Sequence, residues 1–156
     1  MKHCLAALAL FPAVAVAAPA QPLKPPVTKD MARKAIALFR EEPASEAGRG
    51  AASIILRFAE ESPDVEVVIA PPFLPWFADK PAMKHGDTLM AAYLAGTILS
   101  QLDSGAAKFD PVAGAEQVIE TYEKLKKAKP DLRIPSVETL IELKAQGKLK
   151  EHLSFK

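Results

Sequence analysis

The chain of 156 residues carries 20 Lys and Arg against 19 Asp and Glu, a formal net charge of +1. This balance argues against nucleic acid as a partner, because phosphate binding needs clustered positive charge. Hydrophobic residues make up 49% of the sequence, which is enough for one domain with a single core. The single Cys excludes a disulfide framework.

The N-terminus has the pattern of a cleavable secretory signal. Lys2 and His3 precede an apolar run over residues 4–18, which closes with an A-x-A cleavage motif. We therefore expect cleavage after Ala20 and a periplasmic or secreted protein without an integral membrane span. This divides the chain into a signal peptide (1–20), a Pro-rich spacer (21–27) and a single helical domain (28–156).

Two amphipathic helices are predicted at the start of this domain. Thr28 and Ser45 are N-cap residue types, and each precedes a run with apolar residues every three or four positions. Pro43 ends the first helix, and the second ends near Glu61. The expected inner faces are Met31, Ala35, Leu38 and Phe39 in the first helix and Ala47, Ala51, Ile54, Ile55 and Phe58 in the second.

Residues 64–69 fit more than one structure. Val65, Val67 and Ile69 occupy alternate positions, as in a β-strand. The sequence offers no second clear strand, and a lone strand leaves backbone groups unpaired. This favours a short helix or an extended connector over a strand.

The stretch from Pro71 to Phe77, PPFLPWF, combines prolines that prevent a regular helix with four large apolar side chains. If it is buried, it is a plug that seals one end of the helical bundle. If it is exposed, it is an aromatic patch for a partner, a peptide or an apolar ligand. The candidate partner-binding residues are Phe73, Leu74, Trp76 and Phe77.

The most apolar helix is predicted over residues 88–103. Residues 89–99 are apolar on nearly every side, but this run is about half the ~20 residues that a membrane span needs. We expect a buried core helix that has Asp87 as its N-cap and ends at Gly105 in the left-handed conformation. Ala92 and Gly96 share one face, which lets another helix approach closely.

Two further amphipathic helices follow. Asp110 is expected to cap the helix that Pro111 opens, and Ser136 the helix that Gly147 ends. Residues 148–153 fit a last short turn. The sequence therefore predicts an all-α fold, a bundle or array of five to six helices around the buried central helix.

One helical hairpin resembles a tetratricopeptide repeat. Residues 118–132, VIETYEKLKKAKPDL, are similar to the second helix of such a repeat, and residues 92–96 are loosely similar to its first helix. The loop over residues 100–111 is too long for the repeat, and no period of ~34 residues is visible. The resemblance implies hairpins that stack to leave a groove for a partner.

Few residues suit catalysis or metal binding. His85 lies near Asp87, a possible orienting carboxylate, but no Ser, Cys or second His accompanies it. The sequence has no HExxH, CxxC or paired-His motif, so neither a metal nor a cofactor is expected. We therefore expect a protein- or peptide-binding module or a structural interaction module rather than an enzyme. The alternatives are a small hydrolase that uses His85 with nearby carboxylates and a carrier of a small apolar ligand around Met90, Tyr93 and Trp76.

Overall fold

The computed structural model describes residues 25–154, apart from the side chain of Met83. The predicted signal peptide, residues 21–24 of the spacer and residues 155–156 lie outside the described residues. Within the described range the chain forms six α-helices and no strand, which confirms the predicted all-α class. The helices are α1 (Lys29–Glu41), α2 (Glu46–Glu61), α3 (Gly86–Ser104), α4 (Pro111–Ala128), α5 (Pro135–Ala145) and α6 (Leu149–His152).

The first two helices begin where the sequence predicts. The Thr28 hydroxyl accepts a hydrogen bond from the Met31 N–H at 3.2 Å, and the Ser45 hydroxyl accepts one from the Gly48 N–H at 2.9 Å. Both bonds satisfy helix N–H groups that have no partner within the helix. Val27, the last residue of the predicted spacer, is already buried in the core.

The buried face of α1 differs from the predicted one. Met31 and Leu38 are 45% and 41% exposed, whereas Ala35 and Phe39 are buried as expected. A second set of residues in α1 has the same helical spacing, and periodicity alone does not choose between the two sets. Packing against α2 and α3 selects the second set, which is Ala32, Ala35, Ile36 and Phe39.

The central helix α3 is enclosed by α1, α2 and α4, as its apolar sequence requires. Gly105 ends it with φ of 67°, the left-handed conformation that was predicted. The prediction of Asp87 as N-cap is wrong, because the helix already begins at Gly86 and Asp87 lies in its first turn. Among the described residues, no helix has the length and apolar character to cross a membrane.

The backbones of α3 and α4 approach each other at two glycines. A Cβ atom placed on Gly96 would lie 2.2 Å from the carbonyl oxygen of Ala113. A Cβ atom on Gly114 would lie 2.6 Å from the ring of Tyr93. The predicted close approach of another helix at Gly96 is therefore confirmed, and its partner is α4.

The starts of α4 and α5 differ in where their caps come from. The Asp110 carboxylate accepts hydrogen bonds from the N–H groups of Val112 and Ala113, both at 3.1 Å, as predicted. The prediction of Ser136 as cap of α5 is wrong, because Pro135 and Ser136 already lie inside that helix. The Ser136 N–H instead donates, at 2.9 Å, to the carboxylate of Asp79, which lies in the connection between α2 and α3.

Candidate functional site

The connection between α2 and α3 contains the Pro-rich aromatic stretch and positions its side chains. Prolines open two 3₁₀ turns, Pro71–Phe73 and Pro75–Ala78, and a third turn, Lys80–Lys84, leads into α3. A 3₁₀ turn has three residues per turn, so neighbouring side chains point in different directions. Adjacent residues of this stretch can therefore lie in the core and on the surface.

The four predicted partner-binding residues divide in this way. Phe73, Leu74 and Trp76 are buried, whereas Phe77 is 54% exposed. The Trp76 ring packs against the buried ring of Tyr93 with centroids 6.2 Å apart. Three of the four residues thus match the plug described by one hypothesis, and Phe77 alone among them presents a surface.

An apolar groove lies beside Phe77. Its volume is about 370 Å³, and Ile69 and Phe77, at 62% and 54%, are the most exposed large hydrophobic residues of the described chain. Met90 of α3, which is half-buried, also lines the groove. The apolar groove is lined by Ile69, Ala70, Pro71, Leu74, Pro75, Phe77, Ala78 and Met90.

The segment that leads to the groove, residues 65–70, contains neither helix nor strand. Of the structures left open by its sequence, a connector without helix or strand is the one observed, and its last residue, Ala70, has extended backbone angles (φ −142°, ψ 148°). The side-chain amide of Gln101 bonds both main-chain groups of Glu66, accepting from its N–H at 2.7 Å and donating to its C=O at 2.8 Å. Tyr93 donates its hydroxyl to the carbonyl of Val68 at 3.2 Å. Two buried polar side chains of α3 therefore fix this segment in place.

Tyr93 is held in its donor form at this position. Burial raises the pKa of its hydroxyl far above the ordinary value, and the negative charge of Asp110 raises it further. The hydroxyl proton is therefore retained at any physiological pH, and the bond to Val68 does not depend on pH.

A second cavity borders the other side of this segment. It has a volume of about 740 Å³ and lies between Glu66 and Val68, the end of α3, the start of α4 and the residues of α6. Lys108 and Lys150 line it and form no ion pair within the described chain. We call it the lysine cavity.

A third cavity, of about 660 Å³, lies between α3, α4 and α5. Six of its fourteen lining residues are charged, and four of these form two ion pairs. Arg40 lies 3.0 Å from Glu120, and Lys144 lies 3.1 Å from Glu116. Asp103 is paired with Arg33, so among the charged lining residues only Glu123 lacks an ion pair in the described chain, and we do not regard this cavity as a site.

His85, the candidate catalytic histidine, lies directly before α3. Its side chain makes no hydrogen bond to any described residue. Partial burial lowers the pKa of its imidazole, and the nearby charges of Lys129 and Lys84 lower it further. The groups that dominate its electrostatics are thus cations, which do not orient a histidine as a catalytic carboxylate would.

The described residues contain no group of three or more His, Cys, Asp or Glu side chains that could hold a metal ion. Comparison of the chain with protein-family models, with curated proteins and with solved structures found no match. The resemblance of one hairpin to a tetratricopeptide repeat is therefore without support from a family model. Any function has to be argued from the geometry of the site.

Proposed function

We propose that this is an exported protein that binds another protein or a peptide through its apolar groove. One observation carries the proposal: Ile69 and Phe77, the two most exposed large hydrophobic residues of the described chain, flank the same groove. Scattered apolar residues on a surface need no explanation, but a grouped set that lines a concavity is typical of a recognition site. The partner would place an apolar side chain between them.

The support beneath the groove favours binding. Leu74 is buried in the core, and Trp76 beside it packs on Tyr93, so the floor of the groove is held by the fold. A surface that is already ordered loses less conformational entropy when a partner docks. The stretch thus has features of both sequence-based hypotheses. Its buried residues correspond to the plug, and Phe77 corresponds to the exposed patch.

The direct test replaces the exposed residues only. The double variant Ile69→Ser/Phe77→Ser removes the apolar rim and leaves the buried side chains in place. It also removes the stacking of Phe77 on Trp76, whose ring centroids are 6.2 Å apart, so we expect a small drop in the unfolding midpoint. The matched control is Met31→Ser/Leu38→Ser, two residues of comparable exposure on α1. The probe is a displayed library of random ten-residue peptides, and binding is measured by fluorescence anisotropy.

Peptides selected on the wild-type protein should bind the α1 control equally well and lose at least tenfold in affinity for the groove variant. Equal binding to all three proteins would remove the groove as the site. The role of a small-ligand carrier has one observation in its favour, since only apolar residues line the groove. A saturable, one-to-one complex with a small apolar dye, in the absence of any groove-dependent peptide, would identify the carrier instead.

Export is a separate part of the proposal. It depends on the basic end, the apolar run and the A-x-A motif of residues 1–20. Intact-mass measurement of the protein recovered from its native host should give a chain that begins at Gln21. A recovered chain that still begins at Met1 would overturn both the cleavage site and the periplasmic or secreted location.

A further inference from the structure

The main-chain hydrogen bonds of residues 65–70 follow a period of two. All those present are made by Glu66, Val68 and Ala70: the first two bond side chains of α3, and Ala70 accepts from the Phe73 N–H at 3.0 Å. Within the described chain Val65, Val67 and Ile69 make none. In an extended chain the main-chain groups of successive residues point to opposite edges. The main-chain groups on one edge are therefore bonded, mainly by α3, and those on the other, which we call the open edge, have no hydrogen-bond partner in the described chain.

We propose that the partner binds as an extended strand along this open edge, formed by Val65, Val67 and Ile69. The proposal rests on the function proposed above, because Ile69 belongs both to the open edge and to the apolar groove. An exposed edge of extended backbone recognises another extended backbone, whose N–H and C=O groups complete the ladder. A helical partner satisfies its own main-chain groups internally and gains nothing there.

The charges around the segment specify the partner further. Lys108 and Lys150 line the lysine cavity beside Glu66 and Val68, and no carboxylate of the described chain pairs with them. Asp110, in the same cavity, already accepts from two N–H groups of α4 and from the Ser100 hydroxyl at 2.7 Å. Glu66 lines the same cavity with its own carboxylate, so we expect the partner to place a carboxylate against Lys108 and Lys150 and not against the Glu66 side chain.

The spacing of the two anchors follows from strand geometry. Ile69 and Glu66 are three residues apart, or about 10 Å at ~3.3 Å per residue. An odd separation places their side chains on opposite faces of the strand, which agrees with the groove lying beside Ile69 and the lysine cavity beside Glu66. The expected ligand is an extended peptide with an apolar side chain and, three positions away, a carboxylate.

The first test is a scan of single N-methyl groups along a selected peptide. The peptide must bind the wild-type protein and fail to bind Phe77→Ser. Strand addition exposes only alternate N–H groups of the peptide to the open edge. N-methylation at every second residue should therefore weaken binding at least fivefold, and N-methylation at the residues between should change it less than twofold.

The second test removes a main-chain donor from the protein itself. Val67→Pro eliminates an N–H group that has no partner in the fold, while the bonds of Gln101 to Glu66 remain. We expect at least fivefold weaker peptide binding than Val67→Ala shows, while both variants lose the same core packing of the Val67 side chain and unfold at similar midpoints. Val67→Ala is the control, because it shortens the side chain and keeps the N–H group. If Val67→Pro fails to fold, the N-methyl scan on the wild-type protein still decides.

The expected contact between the partner's carboxylate and the lysine cavity is tested with the double variant Lys108→Gln/Lys150→Gln. The control is Lys34→Gln/Lys127→Gln, which replaces two exposed lysines that also lack an ion pair in the described chain. Only the first pair should weaken binding, at least threefold, and the loss should shrink at high salt. Amidation of the peptide C-terminus distinguishes a terminal carboxylate from an Asp or Glu side chain. Selected peptides without any carboxylate would overturn this part.

The outcomes separate the two proposals. Binding that needs Phe77 but shows a uniform N-methyl scan and tolerates Val67→Pro overturns strand addition and leaves the groove as the binding site. A selection that yields no Phe77-dependent peptide overturns both. An N-methyl scan in which affinity falls at every second residue, together with weaker binding by Val67→Pro, supports both the groove and strand addition.

Discussion

Two buried glutamines have opposite roles in this protein. Gln101 bonds both main-chain groups of Glu66 through its amide, whereas the amide nitrogen of Gln117 is buried without a hydrogen-bond partner. Loss of a partner from a buried polar group costs about 1–3 kcal/mol, but removal of an unpaired polar group can be neutral or stabilising. The same substitution should therefore have different effects at the two positions.

We expect Gln101→Met to lower the free energy of unfolding by about 2 kcal/mol. Gln117→Met, the control, should leave it within about 0.5 kcal/mol of wild type or raise it. Urea unfolding measures both, and hydrogen exchange should show faster exchange of the Glu66 amide in the first variant. An equal loss in the two variants would mean that Gln101 is not specifically paired.

His85 should make the fold sensitive to mild acid. Its folded pKa lies below the ordinary value of 6.5, so the unfolded chain binds a proton more readily. Acidification through that value therefore stabilises the unfolded state, and the free energy of unfolding falls until the pH passes the folded pKa. At higher pH both states are neutral, and the difference vanishes.

His85→Gln should remove this acid sensitivity. Between about pH 7.5 and pH 5.5, wild type should lose more unfolding free energy than the variant. NMR titration should place the pKa of His85 below 6.5, and Lys129→Gln should move it upward. A titration at or above the ordinary value would contradict the described environment of this imidazole.

At the scale of elements, the start of α5 depends on a residue far away in sequence. The Asp79 carboxylate accepts from the Ser136 N–H, while the hydroxyl of Ser136 is buried without a partner. Asp79→Ala should therefore destabilise the fold by about 1 kcal/mol, the usual effect of losing an N-cap. Ser136→Ala should be neutral or stabilising.

Thermal unfolding of the two variants, followed by circular dichroism, distinguishes these roles. If Ser136→Ala is the more damaging substitution, Ser136 and not Asp79 caps the helix.

The contrast between caps shows which elements the sequence predicts well. Thr28, Ser45 and Asp110 cap helices that begin directly after them, so the signal is local and the predictions are correct. Asp79 caps across a long stretch of chain, and no spacing rule reaches that far. Ser136 has the right residue type beside a proline, but Pro135 already occupies the first helical position.

The candidate site, like the helix caps, was predictable from the sequence only where the signal is local. Composition alone singles out residues 71–77 as unusual, but it does not say that Trp76 is enclosed by Tyr93 while Phe77 is exposed. That division depends on the direction of two 3₁₀ turns relative to α3. Ile69 and Met90 complete the groove from outside the aromatic stretch. The alternating apolar residues that end at Ile69 are visible in the sequence. Which edge of this segment stays unbonded is not, because Gln101 and Tyr93, which bond the other edge, belong to α3.

For the molecule as a whole, the fold depends on how closely α3 and α4 approach. Gly96→Ala would place a methyl group against the backbone of Ala113, which cannot move aside as a side chain can. We expect a loss of about 3 kcal/mol, at the upper end of overpacking effects. Gly50→Ala on α2 meets no atom within 4 Å and should raise stability by about 0.5–1 kcal/mol.

Urea unfolding compares the two alanine variants on the same chain. A charged residue at Ala92 or Gly96 should prevent folding altogether, because both positions are buried. A normally folded charged variant, or equal stability of the two alanine variants, would contradict the enclosed position of α3.

The tight seam between α3 and α4 also has a consequence for the order of folding. It joins helices that are consecutive in the chain, so its loop closes at low entropic cost, whereas the Gln101–Glu66 bonds join residues 35 positions apart. We expect the helical pair to form in the transition state and the extended segment to dock afterwards. Stopped-flow measurements should then show slower refolding for Gly96→Ala and faster unfolding for Gln101→Met. The extended segment, with its proposed binding edge, would then form after the α3–α4 pair and open before it.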